Sequence, residues 1–135
     1  MGSLMVYFNE KFLSIEYDEK LNCVLMNWKS YASNTDYRKG LEKGLELAKE
    51  KNLTKWVTDQ TNMSGIKKEE QIWAYQDWFP RVMESGIKYM AIIIPENPLT
   101  QFTVNNILKH VDLSRIQIQF FERLTKAKKW IADKQ

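Results

Sequence analysis

The chain has 135 residues, 44% of them hydrophobic and 27% charged, with 5 glycines and 3 prolines. That is room for one domain with one core, and it excludes disorder, collagen-like repeats and a pair of ordinary domains. Twenty basic against 17 acidic residues leave a net charge of +3, spread along the chain and too small to demand a polyanionic partner. The single cysteine, Cys23, excludes an internal disulfide framework and fits a reducing compartment.

The chain is expected to fold as one domain over residues 1–135, with Gly2-Ser3 read as a cloning scar. Leu4 to Phe8 is too short for the apolar part of a signal peptide, and no basic stretch precedes it. A myristoylation site would need Ser or Thr where Val6 stands. The longest apolar run, Met90 to Pro95, falls well below the roughly 18 residues of a membrane-spanning helix. These features point to the cytoplasm, with no membrane partner.

In chain order, Met5 to Phe8 reads as a short apolar strand. Phe12 to Tyr17 follows, with Leu13, Ile15 and Tyr17 on one side and Ser14 and Glu16 on the other, the two-residue period of a strand. A polar turn at Asp18-Glu19-Lys20 and Asn22 leads into a third strand, Cys23 to Trp28, completing a meander. Asn34, Thr35 and Asp36 are N-cap candidates for a helix running to about Lys51, whose buried stripe is Tyr37, Leu41, Gly44, Leu45 and Ala48. Gly40 and Gly44 each cost that helix about 1 kcal/mol relative to Ala, a cost that makes sense if its backbone lies close against a sheet.

A strand at Lys55–Asp59 and a polar loop at Gln60–Gly65 come next. The helix from about Lys67 carries Ile72, Tyr75, Phe79, Val82 and Met83 on one face, and Pro80 inside that pattern predicts a kink, or two short helices meeting, near Trp78 and Phe79. Gly86 sits in the C′ place that ends it. Lys88 to Ile94 is apolar on both faces from Met90 onward, as a strand covered on both sides must be. Pro95 and Pro98 bracket a turn before a helix from about Thr100 to His110. Ile116, Ile118 and Phe120 alternate with Gln117 and Gln119 in a half-buried last strand, and Leu124, Ala127 and Ile131 mark a C-terminal amphipathic helix.

Four strand–helix turns after a meander predict a compact α/β domain with a mostly parallel sheet, since strands joined by long helices pair in parallel. The Met90–Ile94 strand is placed at or near the centre. In this order of elements the chain resembles the SpoIIAA-like fold of the STAS (sulfate transporter and anti-sigma factor antagonist) domains, and more closely a group of small uncharacterised bacterial proteins assigned to that fold. The resembling residues are Trp28 ending a strand, Trp56-Val57-Thr58-Asp59, Trp73 with Trp78-Phe79-Pro80, Met90-Ala91-Ile92-Ile93-Ile94-Pro95, and Phe120 before Ala127 and Trp130-Ile131. They cover nearly the whole chain from Phe12, and none is chemically diagnostic.

No catalytic constellation emerges, and no metal or cofactor is implied. The only histidine, His110, sits at a predicted helix end, where a cation complements the helix dipole. Cys23 opens a strand beside Val24 and Leu25, as a buried structural thiol does. One His and one Cys far apart form no metal cluster, and neither GxGxxG nor a P-loop occurs. Glu69, Glu70 and Asp77 read as solvated helix surface. Arg123, Lys126, Lys128 and Lys129 beside Trp130 read as a solvated helix face rather than a nucleic-acid site.

Two regions stand out. In open α/β sheets, ligands meet the loops at the carboxyl ends of the strands, and the most polar such loop carries Asp59, Thr61, Asn62 and Ser64. The STAS resemblance implies a phosphorylatable Ser or Thr at the start of the following helix, within an Asp-Ser-Ser-Gly-like motif. This chain has Asn62-Met63-Ser64-Gly65 in its place, so Ser64 is the candidate for modification, beside the plainer role of shaping the turn and capping the helix. The second region is Trp73 and Trp78, at opposite margins of the helix stripe, where a cover over the core edge and an interface or ligand wall are both open. The resemblance implies a non-enzymatic, regulatory protein-interaction module. The alternative is a small-molecule or lipid binder with an apolar pocket beneath the Trp73/Trp78 helix. Surplus Trp and Tyr, the modest charge and the half-buried last strand lead us to expect a homodimer.

Overall fold

A computed structural model describes residues 4–63 and 65–134; the reading of Gly2-Ser3 as a scar lies outside them. Six strands make one sheet in the order β1-β2-β3-β4-β5-β6. They are β1 (Leu4–Asn9), β2 (Leu13–Asp18), β3 (Cys23–Trp28), β4 (Lys55–Asp59), β5 (Tyr89–Ile93) and β6 (Gln117–Phe121). The meander is antiparallel, β1 to β2 to β3. Its second turn is closed by Asp18 Oδ1, which accepts the Leu21 N–H at 3.0 Å, and by Asn22 in the left-handed region at φ 56°, which Asn tolerates better than most residues. From β3 onward every connection carries a helix and every pairing is parallel.

Each crossover advances the sheet by one strand, so β3 and β4 occupy its middle. The expected central strand, β5, lies second from the β6 edge instead. It is enclosed all the same, because helices cover both of its faces and Met90 to Ile93 are all buried.

The first face carries the main core, under α1 (Asn34–Glu50), α2 (Lys68–Trp73), α3 (Phe79–Ser85) and α4 (Pro98–Leu108). Helix α1 is capped by Ser33, whose Oγ accepts the Asp36 N–H at 3.2 Å, rather than by Asn34, Thr35 or Asp36. The stripe Tyr37, Leu41, Gly44, Leu45 and Ala48 is buried as its spacing predicts. The two glycines do let the helix backbone approach the sheet. A Cβ on Gly44 would lie 2.6 Å from Trp56 ring carbons and 2.7 Å from Met26 Cε, and one on Gly40 would collide with Leu13 and lie 2.8 Å from Trp28 Cη2.

Between α2 and α3 the helix widens into a π-helical turn, Ala74–Trp78. The Phe79 N–H reaches five residues back to the Ala74 carbonyl, while the next residue, Pro80, has no N–H to give and its ring excludes an α-helical carbonyl four residues earlier. Of the two expectations for this stretch, the structure has two short helices, joined through this turn. Helix α4 begins at Pro98, two residues before the predicted start, because Asn97 Oδ1 accepts the Leu99 and Thr100 N–H groups at 2.9 and 3.4 Å and Pro suits the first helical turn.

The second face is covered by α5 (Leu124–Ala132), whose Ala127 and Ile131 pack on Cys23, Leu25, Val57, Ala91 and Ile93. Cys23 is fully enclosed there. Burial, with the nearby Asp18 charge, pushes its thiol up to about 12.

Gly44→Ala is expected to lower stability by about 1–3 kcal/mol through overpacking, although Ala is the better helix former by about 1 kcal/mol. An unchanged or raised urea midpoint would contradict the close approach. Native Cys23 should not react with a thiol reagent at neutral pH until the protein unfolds. Above pH 9.0, the unfolded thiol's value, the unfolded state sheds a proton that the folded state keeps. Its contribution to stability therefore falls between pH 9.0 and about 12, and chemical denaturation of wild type against Cys23→Ala across that range measures the difference.

Candidate functional site

Strand β4 alternates its side chains between the two faces, as any strand must. Val57 turns to the α5 side, and Trp56 and Thr58 turn to the main core. Gln60 continues the alternation one residue past the strand, its backbone N–H still held by the Ile93 carbonyl at 2.8 Å. Thus Trp56, Thr58 and Gln60 lie in a row, two residues apart. Each carries a buried polar atom with no hydrogen-bond partner among the described residues: Trp56 Nε1, Thr58 Oγ1 and Gln60 Oε1. Trp56 is 0% and Thr58 4% exposed. Among the described residues one further atom shares this condition, Trp28 Nε1, whose ring lies away from the row, among Phe12, Tyr37 and Gly40.

The row faces an inner cavity of about 40 Å³. Met90 and Ile92 of β5, Trp78 and Phe79 of the π-turn junction, and Val104 and Ile107 of α4 form most of its wall. The cavity exists because the helices stand differently on the sheet. Helix α1 packs directly on β2 and β3, whereas α4 packs on α2 and the π-turn. Trp78 is fixed as a wall: its Nε1–H donates to the Leu41 carbonyl at 2.9 Å, and its ring meets Trp56 edge-on at 5.4 Å between centroids.

An outer cavity of about 250 Å³ adjoins it, between the 60–66 loop and the first half of α4. Gln60, Ile66 and Val104 line both cavities, so these three side chains form the partition. Asn97, Thr100 and Thr103 add polar groups to the outer wall, and Met63 and Leu99 add apolar ones. Among the described residues, no charged side chain lines either cavity. Tyr37 lines the inner one, and burial, with the Glu70 charge, pushes its phenol up, so it stays neutral.

The residues singled out from sequence divide as follows. Asp59 and Thr61 are spent on each other: Asp59 Oδ1 accepts the Thr61 N–H at 3.0 Å and its hydroxyl at 2.6 Å, a turn-shaping arrangement. Asn62 is exposed, and Ser64 lies outside the described residues. Trp78 is buried in the cavity wall. Trp73 is half-buried on another side of the helix, with the Arg38 guanidinium 5.0 Å above its ring. That guanidinium also makes a two-pronged ion pair with Glu70, at 2.5 and 2.9 Å, joining α1 to α2. Glu70 is therefore buried at 3% exposure, not solvated surface.

His110 lies two residues beyond α4, stacked on Tyr75 at 4.1 Å. In the basic cluster on α5, Lys128 Nζ lies 3.8 Å from buried Asp18. No group of three or more His, Cys, Asp or Glu among the described residues could hold a metal ion, and no helix among them is long and apolar enough to cross a membrane.

Sequence reasoning pointed to the loop and did not single out the inward row just before it. The signal was present: Thr58 and Gln60 are polar at positions that the strand's own alternation sends to the core.

No family model matches the chain, and no curated protein does. Among solved structures, an uncharacterised protein from the DUF3478 family with a SpoIIAA-like fold, from Shewanella loihica, is similar at 16% identity. The match covers 96% of this chain and 93% of that one, with a TM-score of 0.55. Taken with the meander, the parallel crossovers and the helices on both faces, this similarity shows that the chain has a SpoIIAA-like α/β fold.

Proposed function

We propose that the protein is a non-enzymatic binder of a small, largely apolar molecule, held between β4 and the helices α3 and α4. One observation carries this reading. Three residues in a row, Trp56, Thr58 and Gln60, line the inner cavity, and each carries a buried polar atom with no hydrogen-bond partner among the described residues. A buried polar group left unpaired costs about 1–3 kcal/mol, and proteins satisfy nearly all of theirs. Apolar walls with a few converging polar groups are the usual make-up of a small-molecule site. A ligand group that pairs with the row would relieve the cost, and the outer cavity would hold the remainder of the molecule.

A second reading, a regulatory protein-interaction module or homodimer, rests on a different observation. Leu99 and Phe102, three residues apart on α4, are 72% and 69% exposed, a small apolar surface at the cavity rim. Sedimentation bears on it directly: a species at twice the chain mass that Leu99→Asp with Phe102→Asp converts to monomer supports it, and a wild-type monomer at tens of micromolar protein removes the homodimer.

For the ligand reading, native mass spectrometry of protein purified without detergent should detect a non-covalent adduct that is lost on organic extraction. Ile66→Trp, which fills the partition from a half-buried loop position, should fold and lose the adduct. A clean chain mass, together with no binding of a neutral solvatochromic dye that Ile66→Trp can abolish, would contradict it.

A further inference from the structure

Resting on the ligand-binding reading, we propose that the molecule taken up is uncharged, and that its buried end is an amide or hydroxyl group, able to donate as well as accept, read by Thr58 and Gln60. The charge pattern comes first. The chain is 27% charged, yet neither cavity is lined by a charged side chain among the described residues, and α4, which walls both, carries no charged residue along Pro98–Leu108. An ionised group entering here would lose its water and find no counter-charge, the costliest form of burial.

A helix N-terminus can replace a cation as an anion's partner, and that of α4 borders the outer cavity through Asn97, Leu99 and Thr100. Its Leu99 and Thr100 N–H groups are already taken by Asn97 Oδ1. The helix end is therefore not offered to a carboxylate or phosphate.

The row of polar atoms narrows the class further. The Thr58 hydroxyl can donate and accept, the Gln60 amide oxygen accepts, and the Trp56 indole only donates. A neutral amide or alcohol, which both donates and accepts, can meet such a set, whereas a ketone leaves the Gln60 oxygen without a donor and a hydrocarbon leaves all three atoms unpaired. Size agrees with this. The inner cavity of about 40 Å³ admits a group the size of about two or three waters, which is a functional group rather than a chain. The outer cavity of about 250 Å³, with its mixed apolar and hydroxyl walls, takes the rest.

The test uses four six-carbon probes at pH 7: hexanamide, 1-hexanol, hexanoate and benzene. Each is titrated into the 15N- and methyl-labelled full chain and followed at the Trp56 indole N–H in every variant and, in wild type, also at the Thr58 methyl. Hexanamide and 1-hexanol should shift both signals and bind at least tenfold more tightly than hexanoate. Thr58→Val should weaken hexanamide three- to tenfold and leave benzene unchanged, and Thr58→Ser should restore hexanamide binding. Equal or tighter binding of hexanoate would overturn the inference, and so would a Thr58→Val protein, folded by its own spectrum, that binds hexanamide as wild type does. In either case the cavity would remain a binding site of another specificity. If benzene shifts these signals and neither neutral polar probe does, the inference falls and the binder reading stands. If no probe shifts them, both fall.

Discussion

The structure depends on how closely α1 can approach the sheet. Trp28 ends β3 and Trp56 sits in β4, both with no exposed surface, and two large indoles on one sheet face leave little depth for a helix above them. Gly40 and Gly44 supply it. They lie one turn apart on the buried stripe, and a methyl group on either would meet Trp28, Trp56, Leu13 or Met26 inside contact distance. The helix gives up propensity at two positions and gains an intimate fit over the indoles, an exchange that favours burial when whole aromatic side chains are covered.

The other half of the same face is built differently, and the difference makes the site. Helix α4 packs mainly on α2 and the π-turn rather than directly on the strands as α1 does. The π-turn inserts one residue into the helix, which rotates everything after it by about 100°. The buried positions step Glu70, Ala74, Trp78, and then resume at Phe79 and Val82. Trp78 and Phe79 thereby both face inward, and Trp78 ties this helix to α1 through the Leu41 carbonyl. The Arg38–Glu70 pair makes a second tie between the same helices. Both ties hold the helical layer where the inner cavity opens above Thr58.

Much of this was legible. Two-residue alternation marked β2, the 3.6-residue stripe and its glycines marked α1, and the apolar run Met90 to Ile93 is covered on both faces as it reads; in β6 the alternation placed Phe120 inward, whereas it is exposed. The strand's place in the sheet was not, because order follows from which way each crossover turns, and local pattern says nothing of that. Trp78 falls at a stripe margin when the spacing is kept regular across Pro80; Pro80 announces a break there without saying that it takes the form of an inserted residue. Glu70 looked solvated because its partner, Arg38, stands thirty-two positions earlier. The site itself was half visible. Attention went to Asp59 and Thr61, whose side chains close their own turn, while polar Thr58 and Gln60 at inward positions were the stronger sign.

The central claim is that Thr58 presents an unpaired hydroxyl to the cavity, and it is tested most directly by the unfolding free energy of ligand-free Thr58→Val. Val matches Thr in shape and lacks only the hydroxyl. If Thr58 Oγ1 is without a partner, no hydrogen bond is lost and a buried polar group is removed, so stability should stay level or rise by up to about 1–2 kcal/mol. A fall of about 1 kcal/mol or more, the usual loss when a paired hydroxyl is deleted, would contradict the account.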